Sequence, residues 1–492
     1  MMTAAGTKSQ IEFIEVAIVG GGPGGLAAAA CLAEYGIPAT LIDEQPDTGG
    51  QFLRRPPKNF KVARWLQGPL YRNAKALLER VDQTPSLDRR LECTIYGITP
   101  SACDDGEACF KLWIGDKEGQ RLLFARKVIV ATGACELAIA FPGWTLAGVM
   151  GAGAVQTFLK SQQILPGTRF VLAGSHPLQL IVADQILNAG GEIAMLAFSQ
   201  SRRRLFRELV AGVHLIPGNA TKFLAPAAIL ARLTARRIPI GFGHVIAHAH
   251  GGDGLEQVSL ARLGSDGLTR TESEVSVACD TLGICYGFAA SGELLRQAGA
   301  SWRWDQDRGG WLAAVDGTMR TDIPGLYAAG ETTGVDGADA AMIKGRLAAL
   351  ACLEDRGEDP RINTLIAPQQ RRLHRELRFA RFLRKLAAPP WPALDAAATA
   401  GTPICRCEGV TKGDIESALG STTPPGEANA LKLATRAGMG LCQGRLCGAA
   451  IARLVCRASG EGAVPNPPLT ARLPAKPARI GSIATLAEPS AQ

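Results

Sequence analysis

At 492 residues, 47% of them hydrophobic and 20% charged, the chain has room for about three domains and is too apolar to be disordered. The net charge of +8 is mild, aromatics are 5%, and no Lys/Arg block is interleaved with them, so nucleic acid is not an expected partner. Thirteen cysteines, a start (MMTAAGTKSQ) without a charged and then apolar leader, and no apolar run near the roughly 18 residues that cross a bilayer predict a cytoplasmic protein using thiols as ligands.

The first readable unit is strand, glycine turn, helix, strand. Val16–Gly20 (VAIVG) is a β-branched run suited to a strand buried on both faces, Gly24 to Tyr35 an Ala-rich helix, and Ala39–Asp43 the next strand. Between them Gly20-Gly21-Gly22-Pro23-Gly24-Gly25 satisfies G-x-G-x-x-G in the context that pattern needs. Gly20 permits the tight turn, Gly22 the close approach of a pyrophosphate, and Gly25 close helix–strand packing, which aims the helix N-terminus at the phosphates. Asp43, with Glu44 behind it, supplies the acid expected about 20 residues on for ribose hydroxyls.

A polar, basic stretch follows from Gln51, with one helix over Tyr71–Val81, then strands in LECTIYGI, CFKLWIG and KVIVATGA. A second βαβ pattern starts at Thr168, but its turn, Gly174-Ser175-His176-Pro177-Leu178-Gln179, keeps only the first glycine, and no acid ends its second strand. His176 stands where a pyrophosphate must approach, so nicotinamide cofactor, NAD(P), is not expected there. Further strands run through GHVIAHAH and QVSLARL; His244, His248 and His250 have even spacing, which predicts one exposed strand face rather than a metal site. An Ala-rich helix follows from Ala338 to about Asp355.

The region 363–386 reads as one basic amphipathic helix, with Leu373, Leu377, Ala380 and Leu383 on one side and arginines elsewhere. A Pro/Ala-rich linker, Ala388–Pro403, leads to Cys405-Arg-Cys407 and Cys442-Gln-Gly-Arg-Leu-Cys447. Two close thiolate pairs suit [2Fe–2S] and also allow zinc, although C-x-C is tighter than the usual zinc pair. The other nine cysteines lack ligand spacing and read as buried free thiols. The tail from Gly462 is Pro-rich and predicted to lie extended along another surface or to be disordered.

Several segments carry a resemblance. GGQ (Gly49, Gly50, Gln51) resembles the stretch that disulfide-reductase-like flavoproteins run past the flavin, ATGA (with Thr132 and Gly133) their second dinucleotide turn, and LYAAGE (with Gly330 and Glu331) their distal flavin motif, whose usual acid is Asp. No cysteine pair follows GGQ, so a redox disulfide is absent there. TRAGMGLCQGRLCG resembles the bacterioferritin-associated-ferredoxin type of [2Fe–2S] module. Together with PGW…GVM…GA these motifs resemble the FAD- and [2Fe–2S]-bearing α-type subunits of opine oxidases, hydrogen cyanide synthase and related proline and D-hydroxyproline dehydrogenases, over about residues 14 to 460.

The resemblance implies an α/β fold: two Rossmann-like dinucleotide-binding domains of the disulfide-reductase-like flavoprotein fold plus a small C-terminal α-helical [2Fe–2S] module. The expected division is 14–150 and 281–360 for the FAD domain, 151–280 for an eroded NAD-binding-like domain, 361–400 for the basic helix and linker, 401–460 for the cluster module and 461–492 for the tail. FAD is expected on Gly20, Gly22, Gly25, Asp43, Glu44, Gly50, Gln51, Thr132, Gly133, Gly330 and Glu331, and the cluster on Cys405, Cys407, Cys442 and Cys447. It further implies a partner (β) flavoprotein that oxidises the C–N bond of an amino or imino acid, a second flavin (FMN) between the subunits, in some relatives a small ferredoxin-like third chain, and a peripheral link to a respiratory acceptor. No catalytic acid or base is named. A self-sufficient NAD(P)H-dependent reductase and a scaffold with a structural dinucleotide are the rival readings.

Overall fold

The computed structural model describes residues 12–62, 65–103, 106–357, 359–460 and 467–483. Strand β1 (Glu12–Val19) is central because it has no polar face: Val16 and Ile18 enter one apolar cluster while Ala17 and Val19 enter another. It pairs in parallel with β2 (Ala39–Ile42) and with a long strand, β6 (Gly119–Val130). The remaining strands, β3 (Asp88–Arg90), β4 (Thr94–Ala102) and β5 (Ala108–Asp116), complete the order β3-β2-β1-β6-β5-β4. β6 starts earlier than Lys127 because its first half forms a hairpin with β5, while its last residues take the strand Leu326–Ala328 in parallel. Chain from two hundred residues downstream thus returns to the first sheet.

Helix α1 (Pro23–Glu34) is buried along Gly24–Leu32 and lies against the helix Ala338–Arg356. The crossing is close because glycines meet there: a Cβ on Gly345 would stand 1.9 Å from the Gly24 carbonyl oxygen. A second, five-stranded sheet is wholly parallel, in the order 240–242, 192–198, 169–174, 281–285, 149–151. An antiparallel three-stranded sheet (244–250, 257–263, 269–278) packs beside it through Ile246, Val258 and Leu260.

Two departures from the sequence expectation have local causes. A bulge between Ile246 and His248 breaks the two-residue alternation, so His244 is buried, and His248 and His250 are half-buried and stacked 3.9 Å apart; the three do not form one exposed face. The linker after Ala388 contains a helical turn, Trp391–Ala397, initiated by Pro392 in its first turn. The helices Arg202–Gly212 and Ala220–Ala235 lie where the sequence pattern predicts no element.

The basic helix spans Ile362–Ala387. Beyond it, a short hairpin (Pro403–Cys405, Val410–Thr411) and the helices Lys412–Leu419, Ala428–Thr435 and Gly448–Ala458 enclose Ile404, Ile415, Leu431, Ile451 and Val455. Thr411 and Asp414 close a capping box on the first of these helices. The described tail has no regular structure before a short helix at Ile480–Ile483; Leu469 anchors it in the module's core, and the half-exposed Leu473 rests on Gly97. Among the described residues no helix is long and apolar enough to cross a membrane.

Candidate cofactor sites

The glycine turn between β1 and α1 is held from beneath. Gly20 N–H donates to the Ile42 carbonyl, and Gly21 N–H donates to Asp43 Oδ2 at 2.5 Å. Gly20 has φ +103 and faces Ala131, leaving no room for a side chain, and a Cβ on Gly25 would meet the Gly20 carbonyl oxygen at 1.8 Å. Gly22 differs. Its amide has no acceptor among the described residues, α1 has no side-chain cap, and a Cβ there would find nothing nearer than Gly50 Cα at 3.9 Å. The helix N-terminus therefore opens onto free space, as a pyrophosphate requires.

The rest of the set surrounds this turn. Asp43 uses Oδ1 to accept from Gln45 N–H at 2.8 Å, and burial pushes its carboxyl up while these amide bonds and Arg54 pull it down. Glu44 points away, paired with Lys476 of the tail. Gly50 (φ +58) packs on Gly22, and the exposed Gln51 follows it. Thr132 Oγ1 donates to the Ser291 carbonyl at 2.7 Å, and Gly133 (φ +74) accepts from Ser291 N–H. Gly330 (φ +69) approaches Gly24, and burial pushes the adjacent Glu331 carboxyl up against the pull of Lys344. Residues from five separate segments thus meet at one helix N-terminus, and they fit an extended dinucleotide.

The second turn is plugged by the protein itself. Ser175 and His176 N–H both donate to the Cys285 carbonyl at 2.9 Å, and His176 Nδ1 accepts from Leu178 N–H at 3.2 Å. The amides that would hold phosphate are consumed, and burial pushes His176 down to about 4, so the ring is neutral.

Sequence reasoning missed two groups. Lys160, 5% exposed in a π-helical turn (Phe158–Gln162), donates to the Gln51 and Phe52 carbonyls at 2.8 and 3.2 Å; burial pushes it down to about 7. Asp336, 1% exposed, accepts from Lys344 Nζ at 2.7 Å, from Arg308 at 2.6 Å and from Arg384 of the basic helix. Lys344 was detectable, since it occupies the same helical face as Ala340, Leu347 and Ala348, which are all buried.

In the C-terminal module, Cys405 ends a strand, Cys447 precedes a helix, and the hairpin brings Cys407 to Cys442. The thiols contact one another in series: Cys442 is held near 4 by hydrogen bonding to Cys447 and, more weakly, by the Leu446 amide and Cys407, while Cys447 also meets Cys405. Gly438 N–H donates to Cys405 Sγ at 3.4 Å, and a Cβ on Gly440 would strike Cys407 Cβ at 2.3 Å. The four thiols are linked in two pairs, a donor set that a [2Fe–2S] cluster uses. Of the other nine cysteines, seven are buried.

This combination of an open dinucleotide turn, a second Rossmann-like unit and a thiol quartet defines a class. The chain belongs to the pyridine nucleotide-disulphide oxidoreductase family, matched over residues 14–345, and carries a BFD-like [2Fe-2S] binding domain over residues 403–457. It is an oxidoreductase of the flavoprotein type.

More particularly, the chain is 33% identical over 438 residues to hydrogen cyanide synthase subunit HcnB of Pseudomonas protegens, covering 87% of this chain and 89% of that one. It is 30% identical over 485 residues to an opine oxidase subunit of Rhizobium meliloti, covering 96% and 88%. Among solved structures, L-proline dehydrogenase from P. horikoshii shares the fold at a TM-score of 0.67 and 20% identity, over 96% of this chain and 80% of that chain.

Proposed function

We propose that this chain is the electron-transfer (α) subunit of a heteromeric dehydrogenase or oxidase acting on the C–N bond of an amino or imino acid, of opine, hydroxyproline or proline type. The observation that carries the reading is the contrast between the two turns. The first leaves the Gly22 amide at its helix N-terminus free, while the second spends Ser175 and His176 on Cys285. Electrons therefore enter from a partner and not from NAD(P)H.

FAD would lie on Gly20, Gly22 and Gly25, with Asp43 toward the ribose, Gly50, Gln51, Thr132 and Gly133 along its length, and Gly330 and Glu331 at its far end. Cys405, Cys407, Cys442 and Cys447 would hold the cluster. When bound, the flavin supplies a two-electron station and the cluster a one-electron station. The chain's own residues supply the rest: Gly25 and Gly345 let the elements close, Lys160 fixes the segment after Gly50, and Gly438 N–H stabilises a thiolate. Glu44, engaged by Lys476, belongs to the outer edge of the site. The proposed domain division is supported by the return of 326–328 to the first sheet. A partner subunit completes the reading, supported by relatives that are themselves subunits, and the family resemblance adds that it is a flavoprotein sharing an FMN, with a small ferredoxin-like third chain.

The test is co-expression with the products of neighbouring genes, followed by flavin and iron analysis. The expected result is a complex containing FAD and two irons per chain, whose flavin is bleached by an imino or amino acid and not by NADH. Bleaching of the isolated chain by NADH would overturn the assignment.

A further inference from the structure

A cavity of about 350 Å³ lies between Glu331 at the far end of the dinucleotide site and the Gln443–Arg445 segment inside the Cys442–Cys447 loop. That volume falls within the range of small-molecule sites, roughly 300–1,000 Å³. Its walls are flat aromatic surfaces. The Trp302 ring faces the Arg296 guanidinium at 5.5 Å, Trp391 faces Arg453 at 4.1 Å, and Phe288 meets His176 edge-on at 5.3 Å.

Several donors on these walls lack acceptors, alongside the carboxylates of Glu293, Asp307, Glu331 and Asp336. Trp302 Nε1 and Arg296 Nε are buried without a hydrogen-bond partner, and the Tyr286 hydroxyl, which has the Ile246 amide beside it, has no acceptor for its proton. His176 accepts through Nδ1, so its neutral ring carries the proton on Nε2. Three nearby cations are matched, Arg384 by Asp336, Arg453 by Asp395 and Arg445 by Glu293, while Arg296 has the Leu469 carbonyl in place of a carboxylate. A ligand that satisfies such a wall is planar, apolar on its faces, without net charge, and rich in acceptors at its edge.

We propose that this cavity binds a quinone headgroup, the electron acceptor of the enzyme. A quinone presents carbonyl oxygens and no donor, whereas a flavin mononucleotide adds an N–H and a phosphate that would need unmatched cations. The position between the two redox sites suits an acceptor. This inference rests on the function proposed above: two electrons released by oxidation of the amine, together with two protons from water, convert both carbonyls to hydroxyls and yield the quinol.

Four of the chain's seven tryptophans line the cavity, so binding can be read by their fluorescence in the full-length chain. Titration with menadione is expected to quench saturably. Trp302→Phe and Tyr286→Phe, which each remove one donor and keep an aromatic ring, are expected to weaken binding about threefold to tenfold, the worth of one hydrogen bond of about 0.5–1.5 kcal/mol. In the dithionite-reduced complex the same variants are expected to slow reoxidation by menadione at low concentration and to leave its reduction by amine unchanged.

Unsaturable quenching, or quenching that both variants leave untouched, sinks the proposal. So does stoichiometric binding of FMN that displaces menadione. A chain that binds menadione but holds no flavin or iron would keep the cavity's assignment and remove the function built on the cofactors.

Discussion

Gly22 and Gly25 sit three residues apart in one motif and have opposite sensitivities. A methyl on Gly25 collides with the Gly20 carbonyl oxygen, so Gly25→Ala must displace the turn or the helix and lower stability. A methyl on Gly22 enters only the space above the helix N-terminus, at a backbone conformation (φ −75, ψ −177) that alanine adopts freely. Gly22→Ala is therefore expected to fold with a loss of about 1 kcal/mol or less and to purify with at least tenfold less flavin, read from absorbance near 450 nm beside a thermal melt. A variant that keeps full flavin would refute the placement of the pyrophosphate. Asp336 makes the opposite kind of prediction, one about stability. Asp336→Asn strands Lys344, 2% exposed, without its counter-charge and should cost about 3–5 kcal/mol in urea unfolding. Burial alone would raise the Asp336 carboxyl, but Lys344 and Arg308 hold it below the usual range. Its contribution is thus present at neutral pH and is lost only as pH falls through that depressed value.

The element scale shows where sequence periodicity works and where it stops. β1 and α1 were legible because Val16–Val19 and Gly24–Leu32 are buried throughout and the positive-φ glycines Gly20 and Gly36 follow them, constraints that act within a few residues. The helices at 202–212 and 220–235 were not, because they leave large apolar side chains in solvent, Phe206 at 71% and Leu224 at 66%, which blurs the polar–apolar alternation. The π-helical turn at Phe158–Gln162 was equally hidden, since only tertiary contact explains a buried lysine there. That turn carries a pH prediction. Lys160 titrates near 7 when folded and near 10.5 when unfolded, so between these values the unfolded chain binds the extra proton. Stability therefore rises with pH across that window. The difference in urea midpoint between wild type and Lys160→Met should shift in favour of wild type from pH 6 to pH 9, the change setting in near 7 and continuing toward 10.5. A flat difference would mean that water reaches the amine.

At the scale of the whole molecule, the two close cysteine pairs were legible from spacing, but the contacts that fasten the tail across their module were not. The segment after residue 466 runs as a strap from the cluster module to the first sheet. Leu469 fills the space over Gly438 and Gly444, Leu473 lies on Gly97, Ala475 N–H donates to the Tyr96 carbonyl, and Lys476 pairs with Glu44. Arg296 and Gln297 fasten it through the Leu469 and Arg472 carbonyls. None of these contacts has a sequence pattern, because most join residues more than a hundred positions apart, each through a single side chain or backbone group. Leu469 is 6% exposed, stands over the two glycines that flank Cys442 and packs in one cluster with the buried Cys405 and Cys447, while Cys407 stays exposed. Ending the chain at residue 466 should leave both Rossmann-like units folded, since none of their strands is removed, yet open the glycine loops to water. The expected outcome is loss of the visible cluster absorbance in air at least several times faster than in wild type, with flavin content unchanged. Leu469→Ala should give an intermediate rate, because it removes the cover and keeps the strap's hydrogen bonds. If both variants bleach at the wild-type rate, the strap fastens the module to the sheet without shielding the thiols. A truncated chain that loses flavin along with the cluster would instead show that the Lys476–Glu44 contact holds the dinucleotide site closed.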